Sequence, residues 1–386
     1  MKEWTEENKW NPFNSFKLLA HVERWQYIAP PPKQAPHPVL VTIDPINTCN
    51  LNCHWCNSGK ILENRNKHLS SRIIERLPIF LSDWESTYPL RGVRAVCIAG
   101  GGEPTLHPAL GILIRGLVNK GIEVGIVTNG THISRFKEEL SLCTWVGVSI
   151  DAGKNSTYKA IKGVDLMYDV LLQIEELNDY SKRMKKRLAL PREGYGITYK
   201  FLLHPSNFTE IDLAARLAKR YGCRQLHIRP YGLPWFRLGN QESGSDYKFS
   251  IEQKEEFETV LIRAREYFED DSFKIYGITH KFDGSFSINN NFQRCHALFM
   301  TGVIMPGEEP DTYSFGLCCD RRGDRRMELI SNQKNLYKIE EFWGGEEHWK
   351  IFNNLQVKSC PRCTYQPHNQ IYEKVIKEDS MTWKFI

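Results

Sequence analysis

Between residues 39 and 235 the apolar positions fall into two alternating rhythms. Short apolar, β-branched runs stand at 39–44, 95–99, 123–128, 145–150, 197–203 and 225–229. Each closes on Gly, Pro, Asn or Asp at or near its end, which predicts six strands. Segments 70–84, 109–120 and 208–221 instead carry apolar residues at helical spacing. Strand and helix in alternation predict parallel strands joined by crossover helices, an α/β fold. Six such units fit a partial barrel or a doubly wound open sheet. In both, the loops at the C-terminal ends of the strands carry the chemistry.

The flanks read differently. Residues 13–27 have the spacing of a short amphipathic helix, and the Pro-rich stretch 30–38 reads as an extended linker. Beyond residue 235 the alternation fades. A helical pattern at 251–268 precedes a region expected to be poor in strands, with Asn, Gly and Asp clusters and further cysteines. The chain thus divides into an N-terminal extension and linker (1–38), a core (39–235) and a smaller C-terminal domain (236–386).

Composition narrows the function. Of 386 residues, 41% are hydrophobic and 25% charged, which describes an ordinary globular protein. The net charge of +5 is too mild and too evenly spread for a nucleic-acid partner. No apolar run reaches the roughly 18 residues of a membrane span, and the polar N-terminus lacks a signal-peptide core. Eleven cysteines in this setting point to a reducing cytoplasm and to metal, not to disulfides.

Three of those cysteines carry the strongest signal. Cys49, Cys53 and Cys56 form a C-x3-C-x2-C run directly after the first predicted strand. Three thiolates on one loop can hold three irons of a [4Fe–4S] cube and leave the fourth open to a chelating ligand. Zinc sites favour paired C-x2-C elements. After the second strand comes Ala99-Gly-Gly-Gly-Glu103-Pro104, whose glycines allow close approach and whose carboxylate can accept from an ammonium group.

The cysteine run, with Trp55 just before its third member, resembles the signature of the radical S-adenosylmethionine (SAM) enzymes. The resemblance implies a partial (β/α)6 barrel and a cluster whose open iron binds SAM. It also implies reductive cleavage to a 5′-deoxyadenosyl radical, fed by a reductant such as flavodoxin or ferredoxin. It assigns Gly101, Gly102 and Glu103 to the SAM amino group, Asn129 to a strand-end loop facing the site, Ser149 to the vicinity of SAM, and the Trp55 backbone to the adenine. Arg229 is a candidate partner for the SAM carboxylate, with a rim salt bridge as the alternative. His54 reads as a solvated loop residue, and the segment 158–163 as a helix packed on the sheet.

Cys295, the doublet Cys318-Cys319, and the C-x2-C pair Cys360 and Cys363 resemble the twitch domain, a shorter relative of the SPASM domain. That likeness implies one auxiliary [4Fe–4S] cluster on Cys295, Cys318, Cys360 and Cys363, with Cys319 as the runner-up to Cys318. Structural zinc is the alternative. Cys97, Cys143 and Cys223 read as small buried hydrophobes, although one could return a hydrogen atom to a substrate radical.

Together these features predict a radical SAM oxidoreductase in which an auxiliary cluster assists net oxidation. An epimerase or a peptide-modifying enzyme is the alternative, and a non-catalytic metal-binding scaffold is the alternative of another class. The 38 residues before the first strand are too few for a peptide-recognition domain. That favours a small molecule (a sugar, aminocyclitol or nucleotide) over a peptide. Tyr231, Trp235 and Phe236 could stack on a sugar but read better as core between the domains.

Overall fold

The structure is a computed structural model that describes residues 11–12, 14–30, 35–62, 66–85, 92–188, 196–232, 234–237, 249–277, 291–360 and 363–377. The six expected strands form as β1 (Leu40–Ile43), β2 (Ala95–Ile98), β3 (Glu123–Thr128), β4 (Trp145–Ser149), β5 (Gly196–Leu203) and β6 (Gln225–Pro230). They pair in parallel and in chain order. A doubly wound sheet reverses its strand order at a switch point. The unbroken order here is that of the partial barrel.

The helices follow their patterns. Ser70 caps α1 (Ser71–Asp83) by accepting from the Ile73 amide, and α1 buries Ile73, Ile74, Leu77, Phe80 and Leu81. The helix α2 (Leu110–Asn119) buries Leu110, Leu113, Ile114 and Leu117. Each fully buried leucine contributes about 2 kcal/mol. Next come α3 (Asn155–Lys162), α4 (Met167–Leu188), α5 (Ile211–Arg220) and α6 (Ile251–Phe268), the last opened by a Ser250–Gln253 capping box. The odd-numbered residues of β5 and the even-numbered residues of β6 are buried toward these helices, so Lys200, His227 and Arg229 take the lumen side.

The expectation of a strand-poor C-terminal region is wrong. A seventh parallel strand, β7 (Lys274–Gly277), extends the sheet beyond β6. On the other edge β8 (Thr301–Pro306) pairs in parallel with β1, followed by antiparallel β9 (Tyr313–Gly316) and β10 (Glu328–Gln333). These ten strands form one sheet among the described residues. The apolar pattern concealed them because they are short and are separated by Gly, Asp and Arg.

The N-terminal helical turn forms as a 3-10 segment, Ser15–His21, continued by Val22–Trp25. Residues 35–38 of the expected linker are buried, while residues 31–34 lie outside the described residues. Trp343 donates its indole N–H to the Pro36 carbonyl at 2.8 Å, and the Tyr372 hydroxyl donates to the Trp25 carbonyl at 3.3 Å. Residues 25 and 36 are therefore tied to the C-terminal region. Among the described residues no helix is long and apolar enough to cross a membrane.

Candidate active site

The cysteine loop leaves the C-terminal end of β1. Cys49, Cys53 and Cys56 are free and half-buried. The Leu51 amide donates to Cys49 Sγ at 3.4 Å, and Asn129 Nδ2 reaches the same sulfur at 3.9 Å. Cys49 lies in the fields of Glu103 and Cys56, and Cys53 in those of Cys56 and Cys49. Burial raises the Cys49 thiol and pushes Cys53 up to about 11, with Lys162 opposing. A metal centre here must displace those protons and stabilise the thiolates.

Behind Cys53 stands a buried ion pair, Lys162 Nζ to Asp151 Oδ2 at 2.5 Å. Burial works against the Lys162 charge, but Asp151 and Cys53 outweigh it and hold its pKa above the usual lysine value. Asp151 has a positive φ of 62° and its other oxygen accepts from the Leu202 amide at 2.7 Å. The segment 158–163 therefore does more than pack on the sheet. Its Ile161 carbonyl accepts from the His54 amide at 2.8 Å, and its lysine brings a positive charge to the cysteine loop.

The glycine loop after β2 lies against the cysteine loop. A Cβ on Gly102 would collide with the Thr48 backbone, and one on Gly101 would meet Asn47 Oδ1 at 2.8 Å. The Glu103 amide donates to the Thr48 carbonyl at 2.8 Å. These glycines thus serve loop-to-loop contact as well as ligand approach. Glu103 is buried. Its Oε1 accepts from the Thr105 amide and from the Thr105 and Thr128 hydroxyls, and its Oε2 accepts from the Asn129 amide at 2.6 Å. With one donor among the described residues, Oε2 retains capacity for another.

Asn129 caps this junction: its Nδ2 donates to Asn50 Oδ1 at 2.8 Å and its Oδ1 accepts from Thr131. Ser149 ends β4 in register with Lys200 and makes no side-chain hydrogen bond among the described residues. Arg229 lies on β6 in register with Leu202, within the field of Lys200. The Trp55 indole crosses to the ends of β5 and β6, 4.8 Å from the His204 ring and 5.8 Å from that of Tyr231, with its Nε1 buried and unpartnered among the described residues. Cysteines, Glu103, Asn129, Ser149 and Arg229 therefore stand around one end of the barrel. Asn47 Oδ1 is likewise buried without a partner. An orphaned acceptor beside a glycine loop and three free thiols fit a site built to receive a cluster and a polar ligand.

The C-terminal cysteines gather elsewhere. Cys295, Cys318, Cys360 and Cys363 line one largely apolar cavity with Phe292 and Leu298. Burial pushes Cys295 up to about 12 and raises Cys318, Cys360 and Cys363. Arg321 Nη1 donates to Cys360 Sγ at 3.5 Å and Asn369 Nδ2 to Cys295 Sγ at 3.7 Å. Cys319 is not on this wall. Its thiol donates to the Tyr365 hydroxyl at 3.7 Å, and Cys319 lies in the field of Cys97 and Arg322. Cys318 is extended, with φ −145° and ψ 124°, so the neighbouring side chains point opposite ways. Among the described residues no three His, Cys, Asp or Glu side chains gather closely enough for a single metal ion.

Residues 43–187 match the family model described as the Radical SAM superfamily. This segment is a radical SAM domain. Its family uses a [4Fe–4S] cluster and SAM. Streptococcus suis SuiB, solved with its precursor peptide SuiA, superposes with a TM-score of 0.60 at 16% identity, covering 94% of this chain and 78% of that one. The anSMEcpe structure with bound AdoMet gives a TM-score of 0.53 at 18% identity, over 82% and 83% of the two chains. Among curated proteins, a probable GTP 3′,8-cyclase of Pyrococcus abyssi is 27% identical over 146 residues, 37% of this chain and 45% of its own length. The UPF0026 protein slr1464 of Synechocystis is 32% identical over 124 residues, 28% of this chain and 42% of its own. The chain thus spans less than half the length of these curated relatives. The matched segment runs from the last residue of β1 through β4 and α4, with the cysteine loop, the glycine loop, Asn129 and Ser149.

Three contributors escaped the sequence reading: Lys162, Lys200 and the pair of Asp44 with Arg322. Lysines on a helix and a strand give no spacing signal, and Asp44 meets Arg322 only because β8 docks on β1. Cys97 also departs from expectation. It is half-buried, and burial pushes its thiol up to about 11 with Lys200 and Arg322 opposing, whereas Cys143 and Cys223 are buried.

Proposed function

We propose that the chain is a radical SAM oxidoreductase acting on a small polar molecule, with its cluster held by Cys49, Cys53 and Cys56. When bound, the reduced cluster supplies the electron that cleaves SAM to the hydrogen-abstracting 5′-deoxyadenosyl radical. This chain's own residues bind and orient. Glu103 Oε2 offers an acceptor to the SAM ammonium group, Arg229 a guanidinium to its carboxylate, and Ser149 a hydroxyl. Asn129 and the Leu51 amide donate to Cys49, and Lys162 offsets negative charge beside Cys53. The observation that carries this reading is the link from Cys49 through Asn129, whose Nδ2 reaches the Cys49 sulfur at 3.9 Å and whose amide donates to Glu103 Oε2 at 2.6 Å.

In the same reading Cys295, Cys318, Cys360 and Cys363 would hold an auxiliary [4Fe–4S] cluster, which would supply an acceptor for the second electron. Support comes from the four cysteines lining one cavity. The C-terminal residues 236–386 then act as the auxiliary-cluster domain. A small-molecule substrate is supported by the curated relatives named as probable GTP 3′,8-cyclases, one of them 27% identical over 146 residues.

The test is anaerobic reduction of the reconstituted protein in the presence of SAM. Formation of 5′-deoxyadenosine is expected, with none from Cys53→Ala. No 5′-deoxyadenosine from a cluster-loaded wild type would leave a metal-binding scaffold. Epimerisation is the second reading, favoured by Cys97 on the lumen side. It would introduce solvent deuterium at the substrate carbon, whereas oxidation would not.

A further inference from the structure

A cleft of about 670 Å³ opens where the cysteine loop meets β8, β9 and β10. Its volume is in the range of sites that enclose a small molecule. Ile61 ties it to the reactive end. A Cβ on Gly101 would stand 2.5 Å from Ile61 Cγ2 and one on Gly323 3.6 Å from Ile61 Cγ1, and both Ile61 and Gly323 line the cleft. Trp235 stands on the same wall, half-buried instead of enclosed as core. Its indole N–H donates to the Arg322 carbonyl at 3.1 Å, and the Arg321 guanidinium lies 5.9 Å from its ring centroid. The ring is thus held in place before a ligand arrives, which lowers the ordering cost of binding.

The charges on this wall answer one another. Lys67, Arg325 and Arg326 stand with Glu308, Asp324 and Glu328. Arg325 pairs with Glu308 at 2.8 Å, and Arg326 with Asp324 at 2.9 Å, where Arg321 also donates. Glu308 lies in the field of Lys67, and Arg325 in that of Glu328. A charged ligand would enter without a counter-charge left to meet it, and an unmatched enclosed charge is costly. A neutral polar ligand carries no such cost. The paired groups keep hydrogen-bonding capacity, because a guanidinium has several N–H donors and a carboxylate several lone pairs. Ser314, Ser331 and Asn332 add hydroxyl and amide groups. An indole beside many directional donors and acceptors suits a ring that is apolar on its face and hydroxylated at its rim.

We infer that this cleft binds a neutral polyhydroxylated ring of the substrate, a sugar or cyclitol unit, with Trp235 as the stacking platform and the Arg325–Glu308 and Arg326–Asp324 pairs as hydrogen-bonding partners. The inference rests on the radical SAM reading and names the substrate class. Ile61 sets the cleft against the glycine loop, the loop that reading gives to SAM.

The experiment titrates the reconstituted holoprotein, with SAM bound, in four calorimetric arms: D-glucose, myo-inositol, inorganic phosphate, and the neutral peptide N-acetyl-trialanine amide. The wild type should bind at least one polyol more tightly than phosphate or the peptide, and the stronger polyol arm separates a sugar from a cyclitol. Trp235→Ala should weaken that binding by about tenfold or more, and Trp235→Phe should keep it within about threefold. Arg325 is largely exposed, so its loss spares the fold. Arg325→Met should weaken polyol binding by about threefold or more. Lys67→Gln should leave it within about twofold, since no ligand charge meets Lys67. Failure of the wild type to bind either polyol overturns the inference, as does tighter binding of phosphate or of the peptide. So does undiminished polyol binding in Arg325→Met or in folded Trp235→Ala, or a tenfold loss in Lys67→Gln, which would make the ligand an anion. Absence of 5′-deoxyadenosine would overturn the radical SAM reading while leaving these binding results intact.

Discussion

Asp44 Oδ2 lies 2.7 Å from Arg322 Nε, with the Asp44 side chain fully buried. Asp44 follows β1 and opens the cysteine loop, while Arg322 follows the Cys318-Cys319 doublet. One ion pair therefore ties the loop of the first thiol group to the loop of the second. The Asp44 amide also donates to the Ile304 carbonyl of β8 at 2.9 Å, so backbone and side chain make the same link. Arg322→Met should destabilise the protein by roughly 3 kcal/mol, because it strands a buried carboxylate. The double variant Asp44→Asn with Arg322→Met should recover a large part of that loss. Denaturant titration of the four proteins gives the coupling.

The pair Lys162–Asp151 predicts a different effect. Lys162→Met should leave Asp151 uncompensated and cost roughly 3 kcal/mol. It should also lower the reduction potential of a cluster on Cys53 by removing a nearby positive charge, as read by potentiometric titration followed by electron paramagnetic resonance. An unchanged potential would mean that Lys162 serves only the fold.

Lys200 gives a pH signature. Its folded-state pKa is depressed to about 8, against roughly 10.4 for an ordinary lysine. Between these values the unfolded chain binds more protons than the folded one, so stability rises with pH across that window. Below about pH 8 the cost of the enclosed charge is felt in full. Lys200→Met should remove this slope from unfolding free energies measured between pH 7 and 10.

The cysteine doublet can be split. Cys318→Ala should lose the iron of the C-terminal site and Cys319→Ala should keep it, by metal analysis after anaerobic reconstitution. Equal retention in both variants would place the fourth ligand elsewhere.

Much of this was legible in the chain. The expected strands at 123–128 and 197–203 match β3 and β5 to within a residue, because each is a β-branched run ended by a polar or turn-forming residue. The choice between barrel and doubly wound sheet was not legible, since it depends on which strands lie side by side. Nor was the docking of β8 on β1, a contact between distant segments that leaves no local pattern. The opposite facing of Cys318 and Cys319 follows from extended backbone, but only once the doublet is known to be extended. Lys162 and Lys200 are ordinary lysines until Cys53 and the lumen are in place around them.

The central claim is that the chain builds two separate [4Fe–4S] sites. Iron and acid-labile sulfide per chain measure it directly, in wild type and in a variant with Cys49, Cys53 and Cys56 all changed to Ala. About eight irons falling to about four is the predicted result. About four falling to none, with zinc retained, would contradict it: the C-terminal thiols would then hold a structural metal, and no second cluster would be present to take the electron.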